Sequence, residues 1–345
     1  MRYDLVVIGA GAAGLSAAMV GARFGTVALV EADALGGGYV RREVPGAFLR
    51  CAAGRLYGWR CLVDGPAWAG RALTFETLAA KRDAAVRAWR ACAERVLEAM
   101  GVVVIHGRGR VLAPGLVGVD GGARENLLVG ENIILATGTR RRTGCGGRIV
   151  ALEEALAFQT LPRSAVVAGR DAAARTLALA LAVWGIPVHL VAGEDGVAAG
   201  RQLLEGAGVR VHTAAAAGIW EDASGVTVQL ADGACLRADT AVVDAPGIPA
   251  TDGLGLEEIG IVVTPRGAIA VNARMETSVP GVFAAGLAAG ALSSQTAVLQ
   301  GLVAAHNACG WPLVLRGDAV ADMCITPFDA AGFCDIVSVD FGLPT

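Results

Sequence analysis

A strand, a glycine turn, a helix, a second strand and an acid follow one another within the first 31 residues, and few folds accommodate that order. Asp4-Leu5-Val6-Val7-Ile8 runs straight into Gly9-Ala10-Gly11-Ala12-Ala13-Gly14. A helical pattern continues to about Phe24, and the apolar run Val27-Ala28-Leu29-Val30 ends on Glu31. Each glycine has its own task. Gly9 makes a tight turn, Gly11 lets the backbone approach a pyrophosphate seated on the positive end of the helix, and Gly14 lets helix and strand pack closely. Glu31 is placed to accept hydrogen bonds from an adenosine ribose. The order predicts a site for the ADP half of a dinucleotide.

The bulk properties narrow the class. A chain of 345 residues is long enough for two or three domains. Its 54% hydrophobic content fits parallel strands covered on both faces. No charge-free apolar run reaches the ~18 residues of a membrane span. The N-terminus is itself a strand and lacks a basic segment before an apolar one, so no signal peptide is expected. The two together place the chain in the cytoplasm. A net charge of −3 offers no basic patch for nucleic acid. Lys81 is the single lysine, which removes that residue type from catalytic arguments elsewhere. The eight cysteines, from Cys51 to Cys334, form no CxxC and no metal-like spacing, and the four histidines are dispersed. No metal site is expected.

Further along, Gly36-Gly37-Gly38 reads as a loop and the stretch from about Pro45 to Met100 as mostly helical, with an amphipathic helix from about Thr74. Gly101 to Gly107 reads as a strand, residues 108–134 suggest a small antiparallel sheet, and Asn132–Gly138 is a strand ending in a small-residue turn. A second βαβ pattern starts near Arg163 and repeats the first: strand Ala165–Ala168, helix Ala172–Trp184, strand Pro187–Val191. Gly225–Gly233 is a hairpin, Ala241–Ala245 and Gly281–Gly286 are strands, and a helix runs from about Thr296 to Cys309. This is an α/β chain with two Rossmann-like dinucleotide-binding domains.

At this point the chain resembles the FAD-dependent pyridine nucleotide-disulfide oxidoreductases, on the branch of dihydrolipoamide dehydrogenase and mercuric reductase. The resemblance runs from Met1 to about Gly310. It rests on the first glycine motif with Glu31, on Leu35-Gly36-Gly37, Ala136-Thr137-Gly138 and Gly253–Gly260, on Thr277–Gly286, and on Gly301–Asn307. It implies an FAD domain split in sequence with an NAD(P)-like domain inserted: 1–148, then 149–248, then 249–318, with 319–345 a remnant of the interface domain or a tail. The cofactor-binding set it implies is Gly9, Gly11, Ala13, Gly14, Glu31, Gly37, Gly38, Ala136, Thr137, Gly138, Gly286 and Leu287, with FAD as the ligand.

The departures from that family are chemical. Its redox pair, Cys-x4-Cys, falls where this chain has Tyr39 and Glu43 or Val44, and Cys51 and Cys61 read as structural. The second glycine motif holds Gly169, Asp171 and Ala174. Asp171 puts a side chain and a negative charge where a pyrophosphate would approach, and the next strand ends on Ala192-Gly193 without an acid in the ribose position, Glu194 two residues on offering a carboxylate only through a shifted turn. NAD(P) in the usual mode is therefore not expected. The family's Lys–Glu pair beside the flavin is missing, and its Gly-Asp at the ribityl chain is here Gly286-Leu287. The family's interface domain is cut short after Met323–Pro327, so its dimer is not expected. Two readings follow. The first is a flavin-dependent oxidoreductase without a redox-active disulfide, acting on a small-molecule substrate, with Tyr39, Arg41, Arg42 and Glu43 as candidates for substrate contact or acid–base work. The second is a non-catalytic or accessory FAD- or nucleotide-binding subunit serving a partner protein.

Overall fold

The computed structural model describes residues 1–62, 74–121, 126–140, 146–196, 200–244 and 247–315. Along the chain come β1 (Arg2–Ile8), α1 (Ala12–Gly21), β2 (Val27–Glu31), α2 (Gly37–Leu62), α3 (Phe75–Ala99), β3 (Val103–His106), β4 (Arg108–Ala113), β5 (Leu116–Asp120) and β6 (Asn126–Leu135). There follow β7 (Thr139–Arg140), β8 (Ile149–Ala151), α4 (Leu152–Ala155), β9 (Ala165–Ala168), α5 (Ala172–Val183), β10 (Val188–Val191), α6 (Arg201–Gly206), β11 (Arg210–His212) and β12 (Ala216–Asp222). The last are β13 (Gly225–Leu230), β14 (Cys235–Ala238), β15 (Thr240–Val243), β16 (Ile248–Pro249), β17 (Val282–Ala284) and α7 (Ser294–Ala308). They form two compact units. Among the described residues, the first is built on Met1–Val40, Ala88–Arg141 and residues 247–315, the second on Arg41–Arg87 and Arg142–Pro246. The helical stretch after Val40 thus groups with the inserted unit, whereas the sequence division kept 1–148 in one piece.

In the first unit β1 pairs in parallel with β2 on one side and β6 on the other, and β3 lies beyond β2. Leu5, Val6, Val7 and Ile8 are all buried, which explains their unbroken apolar run. On its other edge β6 meets two partners in succession: antiparallel β5 along Asn126–Val129, then parallel β17 along Ile133–Leu135. The expected small antiparallel sheet is therefore not separate. β4 and β5 join the seven-stranded sheet through β6. α7 lies directly against α1. A Cβ on Gly301 would stand 2.1 Å from the Ala13 carbonyl oxygen, so only glycine permits that approach.

The second unit has a parallel sheet in the order β11-β10-β9-β15-β8 and a three-stranded antiparallel sheet, β12-β13-β14. The expected hairpin at 225–233 is β13 and its turn, continued by β14. Phe48, Leu49, Ala53 and Leu56 of α2 share one buried cluster with Val167 of β9 and Leu177 and Leu181 of α5.

One local expectation fails. The stretch after Gly36 is helix, not loop. Gly36 and Gly37 take left-handed φ values of +90° and +46°, which turn the chain, and the Val40 N–H then donates to the Gly36 carbonyl at 3.1 Å. Val40, Val44 and Phe48 recur at four-residue spacing and are all buried, and that stripe outweighs Pro45 inside the helix. The expected interface-domain remnant at 319–345 lies outside the described residues, as do Gly122, Ala245, Cys145, Cys324, Cys334 and the side chain of Cys61. No helix among the described residues is long and apolar enough to cross a membrane.

Candidate functional site

In the first unit the sheet order reverses between β1 and β6, and open α/β sheets bind ligands at such a point, outside the carboxyl ends of the strands. The glycine motif leaves β1 there. Gly9 has φ +101°, and a Cβ on it would lie 2.4 Å from the Ala136 carbonyl oxygen. A Cβ on Gly14 would lie 1.7 Å from the Gly9 carbonyl oxygen. Both are locked by backbone. Gly11 differs: nothing stands within 4 Å of the place its Cβ would take. It is the N-cap of α1, without a side-chain cap and with no acid in the first turn. The N–H groups and positive end of a ten-residue helix are left for an anion.

The neighbouring candidates frame this turn. Glu31 ends β2, where Oε2 accepts the Ala10 N–H at 2.6 Å and Oε1 accepts the Asp33 N–H at 2.8 Å. A carboxylate accepts about four hydrogen bonds, so capacity for ribose hydroxyls remains. A Cβ on Gly37 would come 3.4 Å from the Gly11 Cα, so the second glycine corner borders the first, while Gly38 is exposed with open space beside it. Thr137 Oγ1 donates to the Ala250 carbonyl at 2.7 Å, and Gly138 has φ +71°. These hold the turn after β6, with Ala136 buried beneath it. Gly286 has φ +77°, its N–H donates to Gln300 Oε1 at 2.8 Å, and a Cβ on it would meet the buried Ala13 methyl at 2.8 Å. Leu287, partly exposed, puts an apolar side chain where the resemblance expects an acid. Gly11 at the bare helix end and Glu31 beside it fit the pyrophosphate and adenosine parts of FAD, while Leu287 supplies no acceptor at the place the resemblance gives to the ribityl chain.

The four candidates on α2 are not brought together as one site. Tyr39 is half-buried in the first unit, its ring 5.8 Å from that of buried Trp89. Arg41 is exposed and Glu43 half-buried. Arg42 is committed to an ion network in the second unit. It donates to Glu153 at 2.9 Å and to Asp244 at 2.8 Å, and pairs with Asp171. Burial works against its charge, but Asp244 and Asp171 outweigh that and hold the guanidinium firmly protonated.

Asp171 and Asp244 occupy the equivalent place in the second sheet, where the order reverses between β9 and β15. Asp171 is the N-cap of α5, and its Oδ1 accepts the Ala174 N–H at 2.9 Å. Burial pushes its pKa up, but the Ala174 N–H and Arg42 together leave it below the usual carboxylate value. Asp244 follows β15. Burial and the negative charge of Asp171 outweigh Arg42 there and push its pKa up to about 6. Sequence reasoning singled out Asp171 but missed Asp244 and Glu153; the available signal was a carboxylate, Asp244, interrupting the apolar run of the strand predicted over Ala241–Ala245. Beside the network opens a cleft of about 490 Å³, with apolar walls from Ala168, Val191, Ala192 and Val243. No group of three His, Cys, Asp or Glu residues among those described could hold a metal ion.

Comparison with known proteins accords with this geometry. A family model described as pyridine nucleotide-disulphide oxidoreductase matches residues 3–308. A dihydrolipoyl dehydrogenase of Thermus scotoductus is 32% identical over 336 residues, covering 89% of this chain and 71% of its own length. An NAD(P)H dehydrogenase (quinone) of Mycobacterium tuberculosis is 28% identical over 357 residues, covering 90% and 69%. Among solved structures, LpdA from Mycobacterium tuberculosis matches with TM-score 0.79 at 26% identity, over 92% of this chain and 74% of that one. The flavoprotein disulfide reductase RclA from Escherichia coli matches with TM-score 0.73 at 21% identity, over 88% and 71%, a likeness of fold.

Proposed function

The chain belongs to the pyridine nucleotide-disulphide oxidoreductase family, and from that premise we propose that it is a flavoprotein oxidoreductase that holds FAD in its first unit and works without a redox-active disulfide. The observation that carries this reading is the contrast among three glycines: Gly9 and Gly14 are jammed against backbone, while Gly11 alone faces open space at a bare helix end. FAD bound there supplies the hydride and electron transfer. The protein supplies position. The first-turn N–H groups of α1 meet the pyrophosphate, Glu31 takes the ribose hydroxyls, and the turn at Ala136-Thr137-Gly138 closes the other side of the switch point. The first cysteine in the chain is Cys51, so no thiol stands at the start of α2. Tyr39, set against Trp89, is the residue there for contact with a small substrate. Cys51, Cys92, Cys235 and Cys309 are free thiols, which supports a reducing compartment such as the cytoplasm.

One observation favours the alternative of an accessory, non-catalytic flavoprotein: Arg42, a candidate for substrate contact, is consumed by three carboxylates. Absorption spectroscopy of the purified protein tests the main reading. A flavin band is expected, and Gly11→Ala should fold normally yet lose FAD by about 100-fold or more, some 2.7 kcal/mol. A colourless protein that takes up no FAD on titration would sink it. A bound flavin that chemical reductants reduce but that turns over no substrate would move the choice to the accessory reading.

A further inference from the structure

The two turns share one plan, a packed glycine followed by a helix N-cap, and in the second the N-cap place is already filled. Gly169 matches Gly9: a Cβ on it would meet the Asp244 Cβ at 2.6 Å and the Ala174 Cβ at 2.7 Å. Asp171 matches Gly11, the glycine left open in the first unit. Its carboxylate does what a bound phosphate does at a helix N-terminus. One oxygen takes the α5 N–H of Ala174 at 2.9 Å, and the other takes the Arg42 guanidinium. Arg42 is held in place by Glu153 at 2.9 Å and Asp244 at 2.8 Å. At the end of β10, Ala192-Gly193 offers no counterpart of Glu31.

We propose that Asp171 is an intramolecular substitute for a ligand phosphate, and that it makes the cleft of the second unit refuse phosphate-bearing dinucleotides such as NADH and NADPH. An incoming pyrophosphate would have to displace Asp171 from both the helix N–H and the guanidinium. It would then face three carboxylates sharing one cation, so like-charge repulsion replaces the attraction a helix end normally offers. The inference concerns the second unit and stands independently of whether the first unit holds FAD.

The test is a titration of the full-length protein with NADH and with NADPH, followed by nucleotide fluorescence and equilibrium dialysis, so that the readout does not depend on flavin. The wild type should bind neither with measurable affinity. Asp171→Gly frees the Ala174 N–H, removes one of the three carboxylates on Arg42 and should tighten NADH or NADPH binding by at least about tenfold, or 1.4 kcal/mol. Asp171→Asn keeps a good N-cap, guards against a folding defect and removes the charge, and should give a smaller gain in the same direction. Saturable NADH or NADPH binding by the wild type overturns the proposal. So does the absence of any gain in whichever of the two variants retains native circular dichroism.

Discussion

The two units place a glycine turn at the same point of the same kind of sheet, and they arrive at opposite electrostatics. In both, a tightly packed glycine leaves the first strand, against the Ala136 backbone in the first unit and against the Asp244 and Ala174 side chains in the second, and a helix starts one residue after the next motif position. In the first unit that position is Gly11, and the helix end is bare. In the second it is Asp171, and the helix end is capped, ion-paired and surrounded by further carboxylates. The strand–turn–helix order and the extended N-cap therefore survive in both units, although Gly9 turns at φ +101° and Gly169 takes no left-handed φ. What decides the electrostatics is one side chain and the charges that gather around it.

The largest expected effect breaks the symmetry at the third motif position. Gly14→Ala drives a methyl to within 1.7 Å of the Gly9 carbonyl oxygen. It should destabilise the protein by about 3 kcal/mol or more and abolish flavin uptake, read from denaturant midpoints and absorbance. The mirror change Ala174→Gly should cost about 1 kcal/mol or less. Equal losses at the two positions would mean that the Gly9 carbonyl is not what holds position 14 to glycine.

A pH series sharpens the electrostatic half. The fold raises Asp244 from 3.8 to about 6, so the folded state keeps a proton that the unfolded chain gives up. Its contribution is fully present below about pH 4 and is lost as pH rises to 6, with a slope of at most about 1.4 kcal/mol per pH unit. Asp244→Asn should remove that loss. His189 and His212 work in the opposite direction: burial, above all, lowers both pKa values, so their contribution is present above pH 6.5 and is lost on acidification. The difference between variant and wild type isolates Asp244; identical stability profiles from pH 4 to 6 would remove the carboxyl from the network. The smallest effect is at the flavin rim. Leu287→Asp restores the acceptor that the family carries after Gly286, and should tighten FAD by up to about tenfold, measured by flavin retention on dialysis.

Much of this was legible because it lives in backbone constraints. Gly9 and Gly14 announce their places through spacing, since a tight turn and a close helix leave no room for a Cβ there. The unbroken apolar runs of β1 and β9 likewise announce strands buried on both faces. The start of α2 was not legible, because three glycines in a row look like a loop. The buried stripe Val40, Val44 and Phe48 decides otherwise, and its burial depends on residues far along the chain. The Arg42 network was hidden for the same reason. Its partners lie 111, 129 and 202 positions away, and no local period reports an ion pair across such separations.

The contact between the first and last helices bears on how this protein is made. Ser16 Oγ donates to the Val298 carbonyl at 3.0 Å across 282 positions, and β17 completes its pairing with β6 late in the chain. The first unit therefore stays open during synthesis until α7 has emerged. At ~5–20 residues per second on the ribosome that is a wait on the order of half a minute. Over that interval α1 has no α7 to cover Ala13, while every segment of the second unit's sheets has already been produced. The first unit begins early and closes only with α7, so a nascent chain interrupted before Gly301 carries an intact glycine motif on a helix that has nothing to lean on.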